Sequence, residues 1–168
     1  MSLARFRTLF LPGLFTSLAI LVGALLLQHS LGLLPCSLCL SQRVLLGGYA
    51  LVCLLALIHG PGRTGWRVYA WLALSCAVLG GLLAARHVWL QGGGRVIATC
   101  VQPLAAAFEH SWSQGLQALL LGGPDCGALT WSFLDLTLPE WSLLAFVLLA
   151  ALPLSRLLAD RLRTLARR

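Results

Sequence analysis

Apolar residues fall in four long blocks, separated by short glycine-proline or polar breaks and by one long mixed segment. The blocks run approximately Leu9–Leu27, Leu40–Ile58, Val68–Ala85 and Trp141–Leu158. Each is close to the roughly 20 residues that an α-helix needs to cross about 30 Å of hydrocarbon. Pro61-Gly62 and Gly65 mark a tight turn, so blocks two and three are expected as antiparallel neighbours. The pattern predicts an all-α membrane protein: a four-transmembrane-helix bundle built as one integral unit over residues 1–168.

The mixed segment, about 86–140, is the only large region outside the blocks. Gly92-Gly93-Gly94 is expected to break the helix leaving block three. From Pro103 to Leu121 the chain reads as an amphipathic helix, with Leu104, Phe108, Trp112 and Leu116 on one stripe. Trp131, Phe133, Leu136 and Trp141 follow, and a loop so apolar is expected to lie on the membrane interface.

Composition agrees with a bilayer as solvent. Of 168 residues 59% are hydrophobic and 10% charged, far from the balance of a soluble domain. The net charge of +7 does not read as a nucleic-acid footprint, because the twelve basic residues are all Arg and cluster at block ends. Arg5 and Arg7 precede block one, which resembles a secretory signal. Its apolar run is too long for a signal core and no small-x-small site follows, so it reads as a retained anchor. The N-terminus (Arg5, Arg7), the 59–67 connection (Arg63, Arg67) and the C-terminal tail (Arg156, Arg161, Arg163, Arg167, Arg168) hold nine of the twelve. By the positive-inside rule these regions are expected in the cytoplasm, and loops 28–39 and 86–140 outside.

The chemistry is carried by cysteine. Cys53 and Cys76 lie mid-block and read as small buried hydrophobes. Cys36, Cys39, Cys100 and Cys126 all fall on the outer side, where an even count suggests two disulfides. Cys36 and Cys39 form a Cys-x-x-Cys at the start of block two, with Pro35 ahead of it at the expected first helical position. A helix N-terminus favours a thiolate, and Arg43, four residues beyond Cys39 on the same face, favours it further. A charge at the membrane rim also calls for an anionic partner. The small ring closed by such a pair suits redox exchange better than stapling.

A zinc site would need further ligands; there is a single Cys-x-x-Cys, and Cys100 and Cys126 have no close His. No metal is expected. Haem attachment would need His where Leu40 stands. Cys100 and Cys126 bracket the amphipathic loop, and Pro124-Asp125-Cys126-Gly127 is a turn that presents its sulfur.

Taken in order, these residues resemble the DsbB family of quinone-linked thiol oxidases. The resemblance runs through Gln28-His29, Pro35-Cys36-Ser37-Leu38-Cys39, Arg43, His87, Gln91 and Ala98-Thr99-Cys100. It continues in Asp125-Cys126, Trp131-Ser132-Phe133-Leu134 and Pro139-Glu140-Trp141, covering nearly the whole chain. It implies an enzyme of the bacterial inner membrane, with its active site on the periplasmic side, that reoxidises a DsbA-like dithiol protein and passes the electrons to ubiquinone or menaquinone. Cys100 would take the partner's thiolate and Cys126 would be its loop mate, able to pair with Cys36 during exchange. Cys39 would face the quinone, Arg43 would stabilise the developing charge, and His87 and Gln91 would help bind the quinone. Gln42 departs from the Glu common in the family, and the triple glycine departs from a more proline-containing loop. Two other readings use the same residues: a reductase resembling vitamin K epoxide reductase, with electrons running the opposite way, and a membrane scaffold whose disulfides only staple a loop.

Overall fold

The computed structural model describes residues 3–32, 36–62, 64–92, 111–122 and 132–166. Four long helices dominate: α1 (Leu3–Leu31), α2 (Ser37–His59), α3 (Gly65–Gly92) and, after a short helix and a hairpin, α5 (Leu138–Leu165). All four are long and apolar enough to cross a membrane. Each starts before its apolar block, and α3 and α5 run on past theirs, to Gly92 and Leu165. Their outward faces carry Phe15, Leu26, Val44, Ile58, Trp71, Val147 and Leu162, all exposed. In water such a surface would aggregate; in lipid it is solvated, while the helical hydrogen bonds keep the backbone satisfied. The chain is a multi-pass membrane protein.

Small residues set the packing. On α3 the buried positions Ala70, Ala73, Ala77, Gly80 and Ala84 recur at three- and four-residue spacing, which places them on one face. Without large side chains the neighbouring backbones approach closely, the usual means of association in lipid. At Gly80 an added Cβ would collide with the ring of Phe146 on α5. The facing seam of α2 holds Leu46, Tyr49, Cys53 and Ala56, all buried. Cys53 is thus the buried small hydrophobe the sequence suggested, whereas Cys76 is only half-buried.

One polar contact ties the bundle centre together. Pro153 sits inside α5 and, lacking an N–H, leaves the carbonyl of Leu149 four residues earlier without its helical donor. The Tyr49 hydroxyl on α2 donates to that carbonyl at 3.1 Å. At the helix ends remote from Cys36, Arg67 Nε and Nη2 donate to Asp160 Oδ2 at 2.9 and 2.5 Å, joining the start of α3 to the end of α5.

A short helix, α4 (Trp112–Leu121), lies over the other end of the bundle. It is the described part of the amphipathic stretch; 103–110 fall outside the described residues. Trp112, Leu116 and Leu120 point outward at four-residue spacing, Trp112 being 81% exposed. Helix C-terminal carbonyls need donors from elsewhere. Ser41 Oγ of α2 supplies one to Leu119 O at 2.7 Å, and Arg86 Nε of α3 another to Leu121 O at 2.8 Å. Gly122 follows with φ +84°, and a Cβ there would press on Leu38 and Leu90. The roof is therefore fastened directly over the start of α2 and the end of α3.

A two-stranded hairpin with no signal in the residue pattern follows, in which β1 (Ser132–Phe133) pairs antiparallel with β2 (Leu136–Thr137). Leu134 and Asp135 both take positive φ, as in the mirror-image turns that suit hairpin twist. Glu140 then reaches back to accept from the Thr137 N–H at 2.6 Å, fixing the start of α5.

Candidate active site

The Cys-x-x-Cys lies where α2 begins, beneath α4. Its local structure corrects one expectation: the first helical residue is Ser37 and Cys36 is the N-cap, so Pro35 precedes the helix instead of starting it. Cys36 has extended backbone (φ −68°, ψ 166°), and its sulfur accepts from the Cys39 N–H at 3.4 Å. A thiol thus does the capping work usually done by Ser, Thr or Asp. The physical consequence matters for chemistry. The helix N-terminus carries partial positive charge, and its exposed N–H groups stabilise negative charge on the capping atom.

Cys39 lies one turn on, which returns its side chain to the same side of the helix. Its sulfur sits 3.0 Å from that of Cys36, both as thiols. A disulfide requires about 2.05 Å, so closing the bond needs a movement of only about 1 Å.

Helix α3 supplies the third member. Extending its buried seam from Ala84 by three residues reaches His87, which is only 3% exposed. His87 Nε2 lies 3.6 Å from Cys36 Sγ. Four residues further, on the same face, is Gln91, half-buried. On α2 the seam extends from Leu46 back to Gln42, which is 6% exposed and one turn beyond Cys39. Its Nε2 atom has no hydrogen-bond partner among the described residues.

Arg43 turns toward α1. Its Nη1 donates to Gln28 Oε1 and its Nη2 to the Ala24 carbonyl at 3.3 Å. Both acceptors are neutral, so they anchor the guanidinium without cancelling its charge. Gln28, in the sequence only part of the Gln28-His29 pair, holds the arginine.

Of the residues singled out in the sequence, Cys36, Cys39, Arg43, His87 and Gln91 gather at one end of the bundle. Cys100 and Cys126 lie outside the described residues. The contact between His87 and Cys36 was missed because 51 residues separate them. The seam spacing was the available signal, since Ala84 plus three lands on His87.

The arrangement brings together a dithiol ready to close, a helix terminus that favours thiolate, an imidazole and an anchored cation. It can exchange disulfides or give up two electrons and two protons.

Comparison with known proteins agrees. Residues 6–155 match the family model described as disulfide bond formation protein DsbB. The chain is 62% identical over 164 residues to disulfide bond formation protein B 2 of Pseudomonas putida, covering 98% of each chain. It is 56% identical over 163 residues to the protein of the same name from Pseudomonas entomophila, covering 97% of each. Against disulfide bond formation protein B 1 of Pseudomonas aeruginosa, identity is 40% over 149 residues, 88% of this chain and 91% of that one. With a match that spans nearly every helix, the chain belongs to the DsbB family of disulfide bond formation proteins.

Proposed function

We propose that this chain is a quinone-linked thiol oxidase of the bacterial inner membrane, working on a DsbA-like dithiol protein. The observation that carries the proposal is the Cys36–Cys39 dithiol. Cys36 caps a helix long and apolar enough to span the membrane, and this puts the pair at the bundle end, which suits exchange with an aqueous partner and electron transfer to a lipid-soluble acceptor. The arginine distribution supports placing that end on the periplasmic side, with nine of twelve Arg at the opposite helix ends and termini.

In this reading a partner thiolate attacks the Cys100–Cys126 disulfide at Cys100 and releases Cys126. The partner's second thiol then resolves the mixed disulfide, leaving the partner oxidised and the loop pair reduced. Exchange with the Cys36–Cys39 disulfide returns the loop pair to its oxidised state and moves both electrons to the helix pair. The helix terminus holds the capping sulfur as the better nucleophile or leaving group in each exchange. Arg43, kept charged on neutral acceptors, offsets negative charge that builds beside Cys39.

A quinone, when bound, supplies the two-electron, two-proton sink that regenerates the helix disulfide. The donor set fits its carbonyl oxygens. Gln42 Nε2 is a buried donor with no partner among the described residues, and Arg43 lies beside it in sequence. His87 and Gln91 complete the polar lining from α3. These residues would hold the ring and orient it toward Cys39.

The test is quinone reduction by the purified chain in detergent, with a reduced DsbA-type protein as donor, beside Cys39→Ser and Cys100→Ser. Turnover in the native chain and none in either variant is expected. Donor-independent reduction, or turnover that survives Cys39→Ser, would overturn the relay. Donor oxidation that survives Cys100→Ser would remove the loop pair from it.

A further inference from the structure

The fold assembles a donor set that the sequence spacing did not contain. Cys36 Sγ, Cys39 Sγ and His87 Nε2 all lie within 4.8 Å of one another. Two sulfurs and one imidazole nitrogen, with no carboxylate among them, form a thiophilic set that favours zinc over calcium or magnesium.

From the geometry we infer that the reduced chain binds one Zn2+ through Cys36, Cys39 and His87, and that the metal-bound protein is a dead-end state. With Zn–S near 2.3 Å and Zn–N near 2.05 Å, tetrahedral angles put a sulfur–nitrogen pair about 3.5 Å apart and two sulfurs about 3.8 Å apart. Cys36 and His87 already stand at 3.6 Å. The sulfurs, at 3.0 Å, need to part by only about 0.8 Å, within reach of side-chain torsions. Three protein ligands leave the fourth position to water, as in open zinc sites. Both cysteines are only partly buried, so an ion has a route in.

Binding converts two thiols and Zn2+ into two zinc-bound thiolates and releases two protons to solvent. No electron moves. Both sulfurs are then held by the metal and are unavailable for exchange or oxidation. The disulfide form has no thiolates to offer, so the site exists only in the reduced protein. The effect on turnover rests on the oxidase reading above; the binding itself does not.

The test uses the full-length chain in detergent under anaerobic conditions. Cys100→Ala and Cys126→Ala remove two competing thiols for the binding arm. Zn2+ alone is titrated against a chromophoric chelator. One equivalent should bind to the reduced chain and none to the chain with its Cys36–Cys39 disulfide formed. Binding should weaken by more than about 100-fold in Cys36→Ser and in His87→Gln, since even the loss of an outer-shell partner costs 10- to 100-fold. Serine keeps the helix cap and glutamine keeps a polar side chain, and circular dichroism of each variant checks the fold. Bound Zn2+ should also protect Cys36 and Cys39 from alkylation. Sub-stoichiometric binding, or equal affinity in the native and His87→Gln chains, would overturn the site.

In the native chain, with all six cysteines present, Zn2+ should stop donor-dependent quinone reduction, and a chelator should restore it. Stoichiometric binding with undiminished turnover would overturn the dead-end claim. If the zinc-free native chain showed no turnover at all, the oxidase reading would fall while the binding result stood.

Discussion

At the residue scale, the site turns on how single side chains are held. Arg43 depends on Gln28, since its other contact is a backbone carbonyl of the same helix α1. Arg43→Gln should lower quinone-dependent turnover by about 10²-fold, the usual effect of removing an electrostatic stabiliser from a reacting centre. Gln28→Ala should lower it by about 10-fold through misplacement of the guanidinium, as loss of a supporting hydrogen bond does. Steady-state rates against quinone concentration check both. A Gln28→Ala chain with native kinetics would show that Arg43 needs no anchor. The sequence carried the cysteines and Arg43 plainly, because their spacing is local: Cys36, Cys39 and Arg43 lie within two turns of one helix. His87 is different. Its place beside Cys36 depends on α3 docking against α2, and only its position at the end of an alanine seam hinted at that. Pro35 suits the first helical position, yet the Cys36 sulfur accepts the Cys39 N–H and takes the cap itself, so the helix starts at Ser37.

At the element scale, helix contacts depend on small residues and one repaired backbone defect. Tyr49→Phe leaves the Leu149 carbonyl buried without its donor, at a cost of about 1–3 kcal/mol. Pro153→Ala restores the helical N–H, so in that background Tyr49→Phe should cost much less. A double-mutant cycle of unfolding in detergent reads the coupling directly, and additive effects would contradict the repair. Gly80→Ala, which drives a methyl into Phe146, should destabilise the α3–α5 contact by about 1–3 kcal/mol, with partial rescue by Phe146→Leu. Apolar blocks of about 18 residues were enough to reveal all four long helices, because span length is set by the membrane itself. They could not reveal Tyr49 pairing with Leu149, which joins residues 100 apart. The hairpin was hidden for another reason: Leu134-Asp135 lacks the Asn-Gly or Asp-Gly signal of such turns.

For the whole molecule, the arginine distribution predicts the orientation proposed above. With Cys36, Cys39, Cys100 and Cys126 replaced by Ala, Ser113→Cys should react with a membrane-impermeant maleimide in intact cells, and Gly62→Cys only after lysis. The reverse pattern would invert the topology and put the dithiol in the cytoplasm. In the proposed relay, disulfide exchange and quinone reduction share one end of the bundle, where α4, the cap of α2 and the end of α3 are fastened together through Ser41, Arg86 and Gly122.

In the proposed mechanism the Cys36–Cys39 dithiol itself gives electrons to quinone. The most direct measurement is a single anaerobic turnover of the Cys100→Ala, Cys126→Ala chain, fully reduced, freed of reductant and mixed with excess quinone. One quinol should form per chain, and peptide mapping should find a Cys36–Cys39 disulfide in the same proportion. Quinone left oxidised beside a dithiol that stays reduced, in folded protein, would rule out electron transfer from Cys36–Cys39 to quinone.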